Sequence, residues 1–257
     1  MTGDSLCILY EDNHILAVNK MPSDIVQGDR TGDATLADRV REHLRTTYGK
    51  TGNVFVGIPH RLDRPTSGVV LFARTDKALE RLSAMFREGG VRKIYWAMVA
   101  ERPPADYGSL VHWLKRNPAQ NKSYAVAGPG EGAPNPRGAA APNPRGTAAR
   151  EARLSYRLLF SLERYHLLEI ELETGRHHQI RAQLAAIGCH IKGDLKYGAA
   201  RSNPGGGIHL HARQVSFIHP VRKEPLVITA DPPRDPVWDA ALARWRDGGE
   251  GARASGV

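Results

Sequence analysis

Apolar positions along the chain fall into short runs of period two and longer stretches that recur every three or four residues, and their order predicts the elements. Residues 6–10 and 15–18 are two apolar runs around the polar Glu11-Asp12-Asn13-His14, which predicts a hairpin. Asp33 or Thr35 is placed to cap a helix carrying Leu36, Val40 and Leu44, closed at Tyr48-Gly49. A strand follows at 69–73, then a helix opened by Thr75-Asp76, with Leu79, Leu82, Met85 and Phe86 on one side and Gly89-Gly90 at its end. Residues 91–100 alternate, with Lys93, Tyr95, Ala97 and Val99 on one face and Ile94, Trp96 and Met98 on the other. Runs at 152–160 and 165–172 form a second hairpin. Leu184 and Ile187 carry a helical stripe that Gly188 ends. Strands are expected around 209–217 and at 225–229, and Asp235-Pro236 opens a last helix with Trp238, Leu242 and Trp245 on one side.

Between 117 and 150 this patterning lapses into Pro, Gly, Ala, Asn and Arg, and Ala133-Pro134-Asn135-Pro136-Arg137-Gly138 recurs as Ala141-Pro142-Asn143-Pro144-Arg145-Gly146. Such a stretch buries too little surface to offset its ordering entropy, so a flexible surface insertion is expected. About nine strands and four helices without regular alternation predict an α+β domain with a largely antiparallel sheet. One domain is expected over 1–248, with a disordered tail at 249–257.

Charge narrows the class of partner. Lys plus Arg number 36 against 27 Asp plus Glu in 257 residues, a net charge of +9, which favours a polyanion, nucleic acid before membrane. The first twenty residues lack a signal-peptide pattern, and no run approaches the roughly 18 apolar residues of a membrane span. Cys7 and Cys189 are the only cysteines, which leaves no disulfide framework and no paired-cysteine zinc site. A cytoplasmic monomer without a membrane partner is expected.

The chemistry concentrates in His60-Arg61-Leu62-Asp63-Arg64-Pro65-Thr66-Ser67-Gly68, where a carboxylate sits between two arginines in a turn that feeds the apolar strand at 69–73. A second candidate is Glu173-Thr174-Gly175-Arg176-His177-His178-Gln179-Ile180-Arg181, where a glycine ahead of a helix places backbone donors and cationic side chains together. Asn19-Lys20 closes the first hairpin, and Lys20 reads equally as a solvated strand end or a phosphate contact.

These strings resemble the motifs of the RluA-type family of RNA pseudouridine synthases. The first hairpin ending in Asn19-Lys20, the Lys93-x-Tyr95-x-Ala97 strand and Cys189-His190-Ile191-Lys192-Gly193-Asp194 are similar to further family elements. Departures are Met21 in place of a usual proline, Ser23 and Asp24 in place of a small residue and glycine, and His190 in place of a proline. The resemblance implies a mixed sheet with a central active-site cleft, RNA as substrate, isomerisation of uridine to pseudouridine by base flipping, and no cofactor or metal. It implies that Asp63 is catalytic, that Arg181 pairs with it, and that Tyr95 stacks on the target base. It assigns one wall of the base pocket to Ile180 and the filling of the vacated stack to Arg61, with Lys93 and His60 also against substrate.

An ionised carboxylate in a pocket needs a cation beside it, because desolvation alone favours the neutral acid, and this is a physical reason for Arg181. The competing classes are an RNA-binding protein that has lost catalysis and, more weakly, a metallohydrolase using some of His177, His178, His190, His209 and His211.

Overall fold

The computed structural model describes residues 6–28, 33–128 and 148–252. Among these, ten strands form one sheet: β1 (Ile8–Glu11), β2 (Ile15–Lys20), β3 (Ser67–Ala73), β4 (Arg92–Val99), β5 (Tyr107–Asn117), β6 (Lys122–Val126), β7 (Arg150–Ser161), β8 (His166–Leu172), β9 (Leu210–Ile218) and β10 (Pro225–Thr229). The helices are α1 (Leu36–Thr47), α2 (Asp76–Glu88), α3 (Gln179–Ala186) and α4 (Pro236–Ala252), with a 3-10 turn at Leu195–Tyr197. Across the sheet the order is β1-β2-β3-β9-β4-β8-β7-β5-β6, with β10 also paired to β9. The β3–β9 pairing is parallel and the others are antiparallel, so the sheet is mixed and largely antiparallel as expected.

Local chemistry sets the element ends. Asp12 Oδ1 accepts from the N–H groups of His14 and Ile15 and closes the first hairpin. Thr35, rather than Asp33, caps α1 in a capping box with Asp38, while Thr75 caps α2 and Gly89 ends it in the left-handed region. Asp235 Oδ1 accepts from Val237 and Trp238 N–H at the head of α4.

Packing then fixes where the helices lie. Leu36, Val40 and Leu44 of α1 meet Val18, Val70 and Phe72, whereas Ala78 and Leu82 of α2 meet Ala17, Val69 and Leu71 on the opposite face of β2 and β3. Trp238 and Leu242 of α4 cover Trp96, Met98 and Leu167. The eight-residue α3 is too short to persist alone; it is held by burying Ile180 and Leu184 against Val99, Leu154 and Ile170, each such side chain contributing about 1.5–3 kcal/mol. Tyr95 on β4 packs against both the α1 core and the α3 core.

The two halves of the sheet meet at β3 and β9, through Ser67 with His211 and Gly68 with Ala212. Gly68 has φ 117°, and a Cβ there would stand 2.3 Å from the Ala212 carbonyl oxygen, so the last letter of the Asp63 motif is glycine for steric reasons. Beyond Gly68 the edge of β3 is completed by the preceding segment. Gly57 exchanges two backbone hydrogen bonds with Ala73, and Leu71 N–H donates to His60 Nε2 at 2.9 Å.

Three expectations need correction. The insertion at 117–150 begins later than its composition implied, because Lys122–Val126 is a strand that pairs with β5 and buries Ser123 and Val126. β5 itself was absent from the expected set; its alternation is blurred by His112, Lys115 and Arg116. The repeated hexapeptides lie outside the described residues. At the other end, α4 continues to Ala252, into the stretch expected as a tail, and 253–257 lie outside the described residues.

Candidate active site

Asp63 sits in a turn whose carbonyls all find donors. Thr66 N–H donates to the Asp63 carbonyl at 3.0 Å, Ser23 N–H to that of Arg64 at 3.0 Å, and Ile208 N–H to that of Pro65 at 3.0 Å. Lys20 does the rest. Its side chain is fully buried, and Nζ donates to the carbonyls of Met21, Arg64 and Thr66 at 2.9, 3.0 and 2.6 Å. Burial draws its pKa down to about 8, against the opposing pull of Asp24 and Asp63. Lys20 is therefore neither a solvated strand end nor a phosphate contact: two of its three carbonyls arrive from a turn that is distant in sequence, which no local pattern reveals. The neighbouring loop tolerates its departures from the family pattern, with Ser23 in the left-handed region at φ 77° and Asp24 accepting from Met21 N–H while pairing with Arg39.

Arg181 enters from the first turn of α3. Its side chain is 5% exposed, and Nη1 donates to Asp63 Oδ2 at 3.1 Å. Its Nε and Nη2 form a fork on Asp194, at 2.7 and 2.8 Å, and its guanidinium lies over the Tyr197 ring at 4.9 Å. Burial works against the charge, but Asp194 and then Asp63 outweigh it and hold the pKa above the usual arginine value. The turn before α3 is organised by Gln179, whose Oε1 accepts from Thr174 Oγ1 and Arg176 N–H while Nε2 donates to the Arg153 carbonyl. Sequence reasoning assigns no role to Asp194 or Gln179, although both lie in stretches it singles out.

Asp63 is 28% exposed on the wall between two hollows. The first, about 300 Å³, is lined among others by Tyr95, Ile180, Lys93, His60 and Arg61, which brings the expected site residues together. Its volume is at the small end of ligand pockets. Burial and the charge of Asp63 push the Tyr95 hydroxyl well above the usual tyrosine range, so it is un-ionised, and burial lowers the pKa of Lys93. The His60 ring stacks on Phe86 at 4.2 Å, and burial, with Lys93 nearby, pushes its pKa down to about 3. His60 thus forms a neutral wall committed to Leu71 N–H.

The second hollow, about 590 Å³, carries Arg61, Arg64, Arg116, Arg181 and Lys196 around the same aspartate. A larger concavity of about 1180 Å³ lies across the sheet, at Arg92, Ile94 and Trp96, but three of its four arginines are matched by carboxylates, Arg92 to Glu171, Arg157 to Glu169 and Arg213 to Asp231.

The five histidines weighed as metal ligands go to separate partners. His177 contacts Ser123 and Asn121, His178 contacts Tyr197, His190 pairs with Glu101, His209 pairs with Asp235, and His211 bridges Ser67 and the Ala230 carbonyl.

The fold is that of the pseudouridylate synthases. It superposes on human RNA pseudouridylate synthase domain containing 4 with a TM-score of 0.73 at 24% identity, covering 93% of this chain and 92% of that one. Human RNA pseudouridylate synthase domain containing 1 gives 0.68 at 22%, covering 92% and 87%. Residues 14–186 match the RNA pseudouridylate synthase family model, and the chain belongs to that family, in its RluA-type branch. An uncharacterized RNA pseudouridine synthase of Synechocystis is 33% identical over 235 residues, 89% of this chain and 65% of the relative, so the chain spans just under two thirds of that protein. Ribosomal large subunit pseudouridine synthase D of Zymomonas mobilis is 30% identical over 89% of this chain and 69% of its own. The tRNA pseudouridine synthase C of Salmonella typhimurium is 33% identical over 93% of this chain and 90% of its own.

Proposed function

We propose that this chain isomerises uridine to pseudouridine in structured RNA, with Asp63 as the catalytic carboxylate. The observation that carries this reading is the placement of Asp63 between a base-sized pocket lined by Tyr95 and a cationic cleft, with Arg181 Nη1 donating to its Oδ2. In the reaction the N1–C1′ bond of uridine breaks, the uracil turns, and a C5–C1′ bond forms. The C5 proton leaves to solvent and N1 gains one, so no redox partner is needed. Three roles are open to Asp63: attack on the uracil ring, attack on the anomeric carbon, or deprotonation of the ribose. Extruding the base from its stack costs a few kcal/mol, and Arg61, exposed where the two hollows meet, is placed to fill the gap. Arg64, Arg116 and Lys196 line the cleft where the phosphate backbone would run.

Relatives are named for ribosomal and for transfer RNA. Ribosomal RNA is taken as the substrate class, and the enzyme as a cytoplasmic monomer. Tritium release from RNA labelled at uracil C5 tests the activity: release by the unsubstituted chain and none by Asp63→Asn is expected, whereas undiminished release by Asp63→Asn sinks the assignment. RNA binding without release would identify the inactive binding protein instead. Pseudouridine mapping of total RNA with and without the gene tests the substrate, and a lost site confined to tRNA would reverse that choice.

A further inference from the structure

His178 precedes α3 with φ 52°, a left-handed backbone at a non-glycine residue. That conformation is strained and persists where surrounding contacts over-determine it. The contacts are specific. One ring nitrogen, Nε2, stands 3.5 Å from Asp63 Oδ2, and the other, Nδ1, lies 2.9 Å from the Tyr197 hydroxyl. The Arg181 contact falls on the same carboxylate oxygen. We propose that His178 is a positioning residue for Asp63: in the Nε2–H tautomer, fixed by Tyr197, it holds Oδ2 jointly with Arg181. This rests on Asp63 being the catalytic carboxylate.

The tautomer follows from counting protons on the tyrosine. The Tyr197 hydroxyl accepts from Ser123 N–H at 2.8 Å and has one proton to give, with the Ser123 carbonyl at 3.1 Å and His178 Nδ1 at 2.9 Å. Donation to Nδ1 leaves the ring proton on Nε2, the nitrogen 3.5 Å from the Asp63 carboxylate. Donation to Ser123 would place the proton on Nδ1 and turn the Nε2 lone pair towards a negative oxygen, which is repulsive.

Burial and the neighbouring Arg181 push the His178 pKa down to about 2, so the ring acts as a neutral N–H dipole and adds no second cation. Its plane is fixed by His177, stacked at 3.8 Å and itself contacting Ser123 Oγ at 2.9 Å and Asn121 Oδ1 at 3.1 Å.

Nitrogen-15 NMR of the imidazole rings reads the tautomer directly, with Nε2–H expected for His178 in the unsubstituted protein and loss of that preference in Tyr197→Phe. Single-turnover tritium release at saturating enzyme reads the consequence. His178→Phe keeps a ring against His177 but removes both nitrogens, and is expected to slow the step on the order of 10²-fold with RNA affinity changed by less than about twofold. His178→Gln, whose amide nitrogen reaches about as far as Nε2, should recover most of the rate. An Nδ1–H tautomer in the unsubstituted protein, or an unchanged rate in His178→Phe beside an inactive Asp63→Asn, overturns the inference alone. Activity surviving in Asp63→Asn overturns the underlying reading and the inference with it. If His178→Phe does not fold, the tautomer still decides.

Discussion

Arg181 is shared unequally between two carboxylates, one nitrogen on Asp63 and two on the deeply buried Asp194. Arg181→Ala therefore strands both. Removing one partner of a buried pair typically costs about 3–5 kcal/mol, so urea unfolding should show a loss of that order, most of it from Asp194, whose side chain is 1% exposed. The saturating single-turnover rate should fall by orders of magnitude while the salt dependence of RNA binding keeps its slope, since a phosphate contact would have reduced that slope by about one. Arg181→Lys retains a charge but lacks the fork, and should regain less rate than stability.

Lys20 gives a pH signature. Its folded pKa, about 8, lies below the ordinary 10.5, so between those values the unfolded chain binds the proton and the folded chain has released it. Stability contributed through this group should then rise with pH from 8 towards 10.5, by at most about 1.4 kcal/mol per unit, and stay constant below 8. Comparing urea unfolding of the unsubstituted chain and Lys20→Met across pH 7 to 10 isolates the effect. The variant should lack the slope, and a parallel pair of curves would refute it.

Gly68→Ala should be among the most destabilising small substitutions in the chain. The added methyl meets Ala212 backbone atoms at 2.3, 2.5 and 2.7 Å, at a φ that L residues rarely adopt. A loss above about 4 kcal/mol in urea unfolding is expected.

Excising residues 118–149 removes β6 with its contacts to Tyr197 and His177, so melting temperature and turnover should both fall. Trimming residues 129–147 alone, which spares β6, should change both little on compositional grounds. Equal loss in the two deletions would show that the repeat contributes to the fold or to RNA binding.

What the sequence disclosed follows from how local each signal is. α1, α2, β2 and β3 announce themselves through period and caps because Thr35, Thr75 and Gly89 act within a few residues. Asp63, Tyr95, Ile180 and Arg181 stood out through motif resemblance, and the fold brings them to one pocket. The roles of Lys20, Asp194 and Tyr197 did not, although the first two lie in stretches similar to family elements, since their partners are supplied by other strands and turns: Lys20 acts on Arg64 and Thr66, Asp194 on Arg181, and Tyr197 on Ser123. β6 was hidden for a related reason, as its buried Ser123 is a polar residue inside a polar stretch.

The capping of the Asp63 turn by Lys20 from β2 and by Ile208 from the approach to β9 ties the proposed catalytic geometry to completion of the fold. Neither half of the chain can complete the turn, because its carbonyls draw donors from both sides of the β3–β9 joint. A nascent or partly folded chain, cationic as it is, should thus meet RNA without an aligned carboxylate and leave it unmodified. Hydrogen exchange gives this a measure: the Thr66 and Ile208 amides should exchange only with global unfolding, and faster local exchange at either would show that the turn opens independently of the body.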